Sequence, residues 1–158
     1  MRPLQTLIIS FTLVTLFATQ AWSSDIPSPS LTPGAIDPSV TQQNIHITIC
    51  IRGYTKTVRV PASYTNRLKK QQMREYGYAD INPKHYEEDH LIPLEIGGNP
   101  REPLNLWPEP RRSGWSAKKK DRLENALHRM VCNGEIPLRD AQAAIANDWV
   151  AAYKKYVQ

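Results

Sequence analysis

Cysteine is scarce in this chain of 158 residues: there are two, Cys50 and Cys132, and they form no CxxC pair. That excludes the ligand spacing of zinc ribbons and fingers. No HExxH helix occurs either, which argues against a zinc-dependent hydrolase of the cell wall built on that motif. No internal repeat is visible. Beyond the amino-terminal stretch, no apolar run approaches the roughly 18–20 residues that a membrane-spanning helix needs.

The amino-terminal stretch itself reads as a targeting segment. Arg2 supplies a positive start, Leu4 to Ala18 carries no charge, and Thr19-Gln20-Ala21 ends on a small residue. This is the order of a secretory signal. Residues 1–21 are therefore expected to be removed, leaving an exported chain in the periplasm or the medium with no membrane anchor. The competing reading is an uncleaved anchor, for which the run is short. Export changes how the cysteines read. In an oxidising compartment a pair usually bonds, and this pair is 82 residues apart. A loop of that length gives about 4–5 kcal/mol in the chain-entropy model. In a reducing compartment the same residues would be two buried thiols.

The formal charge is +5. Only Arg2 among the basic residues, and Asp25 and Asp37 among the acidic ones, precede residue 45, so the remainder carries about +6. A basic surplus favours polyanionic partners: nucleic acid, anionic lipid or acidic glycan. Residues 22–44 read as a linker, with Pro27, Pro29, Pro33 and Pro38 among Ser, Thr and Gly34. Too few apolar groups lie there to offset ordering entropy, so an extended segment is expected.

A domain is expected over 45–158. Ile45, Ile47, Ile49 and Ile51 alternate with polar residues, as in a half-buried strand. Thr57 to Val60 reads as a second strand stopped by Pro61. Ser63 is placed to cap a helix over 64–75, ended near Gly77. On that helix Lys69, Lys70 and Arg74 read as a solvated face. A strand over 86–96 and a short apolar piece, Leu104 to Trp107, form a loose hairpin around Gly97-Gly98. Two helices follow, over about 116–132 and 138–157. On the second, Leu138, Ala141, Ile145, Trp149, Ala152 and Tyr156 make a packing face, so Trp149 and Tyr153 read as core. His46 is assigned no role, and His85, after Pro83, reads as an exposed loop residue.

The chemistry-bearing segment is Glu87-Glu88-Asp89-His90-Leu91-Ile92-Pro93-Leu94-Glu95-Ile96-Gly97-Gly98, followed by Asn105-Leu106-Trp107. An acid directly before a histidine is an economical pair. The carboxylate binds a hard cation, and the imidazole accepts a proton near neutral pH. Glu87 could share the strand face of Asp89, and Glu87, Glu88 and Glu95 could equally be salt-bridge partners. Asp-His-Leu-Ile-Pro-Leu, then Gly-Gly, then Asn-Leu, resembles the hairpin of HNH (ββα-metal) endonucleases. The resemblance covers roughly residues 86–132. It implies an α+β fold, with short hairpins packed on helices, a ββα-metal core and a C-terminal helix. It also implies a metal-dependent hydrolase of phosphodiester bonds in nucleic acid, DNA more than RNA, and a monomer is expected. Carried over, it makes Asp89 a metal ligand, His90 the general base and Asn105 the residue that orients the imidazole. Many members have a histidine early in the following helix, and none stands there in this sequence.

That helix still offers ligands. At 100° per residue, Asp121, Glu124, Asn125 and His128 share about 100° of arc, opposite Leu123, Leu127, Met130 and Val131. Glu124 and His128, four apart, could face one metal; the plain alternative is a solvated pair. Asn125 is the alternative ligand by family resemblance. The cation expected is Mg²⁺, with Mn²⁺, Ni²⁺ or Zn²⁺ compatible with a mixed O/N set. Arg111, Arg112, Lys118, Lys119 and Lys120 could bind phosphates or form a solvated run. Trp107 and Trp115 could stack on bases or cover the core. A non-catalytic exported module that binds nucleic acid or envelope polyanions is the rival reading.

Overall fold

The computed structural model describes residues 25–158. The leader expected at residues 1–21 lies outside this range. The fold is α+β. Helix α1 spans Tyr54–Val58 and α2 spans Ala62–Glu75. Strands β1, Tyr86–His90, and β2, Leu106–Pro110, follow; then come α3, Ala117–Cys132, and α4, Leu138–Tyr156. The two strands pair antiparallel, with Glu87 opposite Glu109 and Asp89 opposite Trp107. The hairpin is flanked by α2 and α3, and α4 backs α3.

Period-two alternation at 45–52 does not produce a strand. Ile45 and Ile49 are buried, whereas Ile47 and Ile51 are 75% and 50% exposed. The operative period is four, and Ile45–Ile47 forms a 3-10 turn. Isoleucine at every second position satisfies both periods; a strand would also need a partner for its backbone groups. The expected strand at Thr57 to Val60 is likewise replaced, by the end of α1 and the entry into α2. Helix α2 starts two residues before the expected point, and Pro61 rather than Ser63 occupies its N-cap.

Strand β2 runs through Pro108 to Pro110, beyond the stop that proline implied. Pro108 and Pro110 face Glu88 and Tyr86. The flanking bonds, Leu91 N to Asn105 O and Arg111 N to His85 O, put the hydrogen-bonded pairs at odd positions. Both prolines therefore fall where no donor is needed. Strand β1 is shorter than expected and ends at His90, where a loop with a 3-10 turn at Leu94–Ile96 takes over. Glycine is required there. A Cβ on Gly98 would stand 1.8 Å from the Ile92 carbonyl oxygen, and Gly97 has φ +76° with Val40 against it.

The proline-rich segment, expected to lie extended and unpacked, wraps this loop instead. Gly34 N donates to Leu104 O, Asp37 N to Gly97 O, and Ala35 O accepts from Asn99 N. Thr32 is 1% exposed; its hydroxyl donates to Leu106 O at 3.1 Å and accepts from Tyr76 at 2.6 Å. Backbone pairing supplements the segment's limited apolar burial, which comes from Val40 in the core and Leu31 packed against it.

The core joins Leu123, Leu127 and Val131 of α3 to Leu138, Ala141, Ile145 and Trp149 of α4. Helix α4 breaks at Asp148 (φ −161°, ψ 90°), whose carboxylate accepts from Ala151 N and so starts the second segment. A Cys50–Cys132 disulfide ties the turn after Ile49 to the end of α3, and no free cysteine remains. No described helix is long and apolar enough to cross a membrane.

Glu88 sits on the α2 side of the hairpin, and neither carboxylate oxygen has a hydrogen-bond partner. Burial, partly offset by Lys69, raises its pKa to about 8. The folded pKa exceeds the unfolded one, so folding takes up a proton between them. The stability penalty is absent below about pH 4.5, grows as pH rises towards 8 and then levels off. Glu88→Gln is expected to raise the Tm at pH 7.5 by several degrees, at about 3 °C per kcal/mol. The gap over wild type should shrink towards zero near pH 4; thermal denaturation across pH reads both. Separately, replacing both cysteines by serine should lower the unfolding free energy by about 2–5 kcal/mol in urea titrations.

Candidate active site

The face of the hairpin towards α3 is acidic. Pairing puts Glu87, Asp89, Trp107 and Glu109 on one side. The centre of this face is Lys120, on α3. It is 0% exposed, and its Nζ donates to Asp89 Oδ2 at 2.7 Å, to the His90 carbonyl at 2.7 Å and to Glu124 Oε1. Lys120 is therefore not part of a solvated run. It lies three, seven and eleven residues before Leu123, Leu127 and Val131, on the buried stripe of α3.

Around this ammonium lie more acids than it can neutralise. Asp89, Glu95, Glu109, Asp121 and Glu124 all fall within its electrostatic reach. Burial raises Glu124 to about 8 against the pull of Lys120. Burial also raises Glu109 well above the usual carboxylate range, with Asp89 and Glu124 adding repulsion. Burial opposes ionisation of Asp89 too, but Lys120, His90 and the hydrogen bonds outweigh it and keep Asp89 ionised. Burial would neutralise Lys120, yet Asp89, Glu124 and Glu109 keep it charged. Two buried carboxylate oxygens, Glu95 Oε1 and Glu109 Oε1, have no hydrogen-bond partner.

His90 is 3% exposed, and its Nε2 bonds to the Pro100 carbonyl at 3.1 Å. A carbonyl only accepts, so Nε2 carries the hydrogen and Nδ1 keeps its lone pair. Burial lowers its pKa, which favours neutral imidazole. Asn105 does not orient that ring. Its Oδ1 accepts from Ile92 N (3.0 Å) and Ala35 N (3.3 Å), while its Nδ2 donates to Ile92 O (3.0 Å) and Asn99 O (3.1 Å). All the amide's capacity is used on backbone. Asn105, 0% exposed, fixes the loop that follows β1.

The expected ligand set also needs correction. Asp89 and Glu124 come together across Lys120, but His128 does not join them. Its Nε2 bonds to the Ile49 carbonyl at 3.0 Å. Among the described residues, the one group of three or more His, Cys, Asp or Glu ligand atoms within 4.8 Å of one another is Cys50, His128 and Cys132. Asn125 is exposed and donates to the Asp121 carbonyl of its own helix, away from the cage. Trp107, 0% exposed, is core and unavailable for stacking. Trp115 packs edge-on against Trp149 and Tyr153, with Lys119 4.5 Å from its ring centre. His85 is exposed and pairs with Asp80 at 2.6 Å.

Where β1 begins and β2 ends, two adjoining hollows of about 690 and 410 Å³ share Lys84, Tyr86 and Arg111. Arg112 lines the first, and Lys69 and Lys70 the second. Lys69 is only 9% exposed and donates to the Tyr86 carbonyl, so it too departs from the solvated reading. Arg111 connects groove and cage through Glu87 at 3.2 Å. Glu109 was missed in the sequence, although its alternation with Trp107 on the second strand could have found it.

No family model matches the chain, and no match was found among the curated proteins or the solved structures.

Lys120→Met should leave Asp89 and Glu124 buried together without a counter-charge. The expected cost is about 3–5 kcal/mol in urea unfolding at pH 7.5. It should diminish at acid pH as Asp89, the ionised acid of the pair, takes up a proton. An unchanged midpoint at pH 7.5 would contradict the buried ammonium.

Proposed function

We propose that the chain is an exported, metal-dependent endonuclease of the HNH kind, cleaving phosphodiester bonds of nucleic acid, DNA in preference to RNA. The observation that carries this reading is the cluster of carboxylates around Asp89 and Glu124 on a hairpin that Arg111, through Glu87, joins to a groove lined by Lys69, Lys70, Lys84, Arg111 and Arg112 together with Asp80. Such a pairing suits a polyanion whose phosphate must be drawn to a cation.

The donor chemistry fits a hard divalent cation such as Mg²⁺ or Mn²⁺. The available atoms are carboxylate oxygens, and two of them, Glu95 Oε1 and Glu109 Oε1, are buried without a hydrogen-bond partner. Asp89 and Glu124 would hold it, in competition with the Lys120 ammonium that bridges them here. When bound, such a cation supplies charge stabilisation for phosphoryl transfer. The protein's own groups do the rest. Groove cations bind the phosphate backbone. His90, neutral and with a free lone pair at Nδ1, accepts a proton from water. Asn105 and Gly98 hold the loop that carries the Pro100 carbonyl, and that carbonyl fixes the imidazole.

The rival reading, a non-catalytic module for nucleic acid or envelope polyanions, draws on the ammonium in the cage and on the depth of His90.

Supercoiled plasmid separates the two. The nuclease should relax or linearise it with Mg²⁺ or Mn²⁺, and chelator should stop it. Asp89→Asn and His90→Ala should each lower the rate by about 10²–10⁴-fold, with DNA binding retained. Binding without cleavage in any divalent metal would favour the module. Cleavage by His90→Ala at the wild-type rate would remove His90 from the chemistry.

A further inference from the structure

A second group of ligating side chains lies apart from the acidic cage, where α3 ends. Cys50, His128 and Cys132 place their ligand atoms within 4.8 Å of one another, and all three are partly exposed. His128 and Cys132 are four apart on α3 and therefore share one face of it. Cys50 is carried to them by the turn after Ile49. In the disulfide form the sulfurs are bonded to each other and offer no thiolate. Every copy of the chain, however, is a dithiol before that bond forms.

We infer that the dithiol form binds a thiophilic divalent cation, Zn²⁺, through Cys50, Cys132 and His128. Zinc takes sulfur at about 2.3 Å and nitrogen at about 2.0–2.1 Å. Tetrahedral ligands at those lengths stand about 3.4–3.8 Å apart, so the three side chains need only small adjustments once the sulfurs separate. The histidine is prepared for the role. Its Nε2 lies 3.0 Å from the Ile49 carbonyl. A carbonyl cannot donate, so the hydrogen resides on Nε2 and the Nδ1 lone pair is left for a metal. A backbone carbonyl on the second ring nitrogen is the usual outer-shell partner of a ligating histidine. It also comes from the residue next to Cys50, so one turn presents a ligand and aligns another.

The balance is simple. Two thiols give up two protons as Zn²⁺ binds, and the two thiolates cancel its charge. Neutral imidazole is the third ligand and water completes the four. The metal then holds the Ile49-Cys50 turn against the end of α3, as the disulfide does later. Exchange with a disulfide oxidant, which accepts the two electrons and leaves as two thiols, converts both thiolates to the Cys50–Cys132 bond and expels the ion. This site does not rest on the nuclease reading: none of its residues hydrogen-bonds to Lys120, Asp89 or Glu124, although His128 lies within electrostatic reach of Glu95.

The test uses the full chain reduced with a phosphine, which takes one oxygen from water as the disulfide gains two electrons and two protons. Zinc and cobalt are titrated into reduced and oxidised protein, with protons released and circular dichroism followed together. The reduced chain should bind one more equivalent of Zn²⁺ than the oxidised chain and release about two protons near pH 7. With Co²⁺ it should show thiolate-to-metal charge-transfer absorption. His128→Ala should weaken this equivalent by more than the roughly 10–100-fold typical of losing an outer-shell partner. Cys50→Ser with Cys132→Ser should abolish it. If reduction unfolds the chain, zinc should restore native dichroism to the wild type and fail to do so for His128→Ala. Equal zinc binding by oxidised and reduced protein would overturn the inference. So would His128→Ala binding as tightly as wild type, since that describes two thiolates without the imidazole.

Discussion

The structure around the hairpin depends on one buried ammonium. Lys120 reaches from α3 to Asp89 and to the carbonyl of His90 on β1, and back to Glu124 on its own helix. Without it, Asp89, Glu109 and Glu124 would crowd one another with little access to water, and the hairpin face could not approach α3. Buried ion pairs of this sort contribute little net stability over apolar packing, but losing one partner costs a great deal. Their value lies in specifying one arrangement. Here that arrangement sets the register between the acidic strand face and the helix.

The hairpin loop is the second fixed point. Gly98 approaches the Ile92 carbonyl more closely than any Cβ would permit, and Asn105 satisfies the backbone on both sides of that loop. The amino-terminal segment closes over it through Gly34, Ala35 and Asp37. Pro100, whose carbonyl holds the His90 ring, therefore sits in a loop restrained from three directions. Imidazole position is set by backbone geometry rather than by a side-chain amide.

The sequence exposes what depends on local rules. The Gly-Gly turn, the hairpin, the two closing helices and the cysteine pair are all legible from spacing, turn chemistry and periodicity. It conceals what depends on partners far along the chain. Lys120 stands in a run of lysines and looks solvated, and only its alignment with Leu123, Leu127 and Val131 betrays its burial. Glu109 hides between two prolines that seem to end a strand. Isoleucines 45–51 fit two periods equally, and the absence of a neighbouring strand decides between them. His128 shares a helical arc with Glu124, but one turn further along α3 it meets the Ile49 carbonyl and the cysteine pair instead. Residues 25–44 have little to bury, and no composition rule reveals that their peptide groups find partners in the loop beyond β1.

That last feature bears on the order of assembly. The residues that bind the early ribbon, from Ile92 to Leu106, leave the ribosome some sixty positions after it. The ribbon must wait, unpaired, while the strands and their loop take shape, because its hydrogen-bonding surface does not exist before then. Long-range closures of this kind come late on a folding pathway. The first part of the described chain to be synthesised is thus among the last to find its place, a clasp fastened over a loop that has already formed.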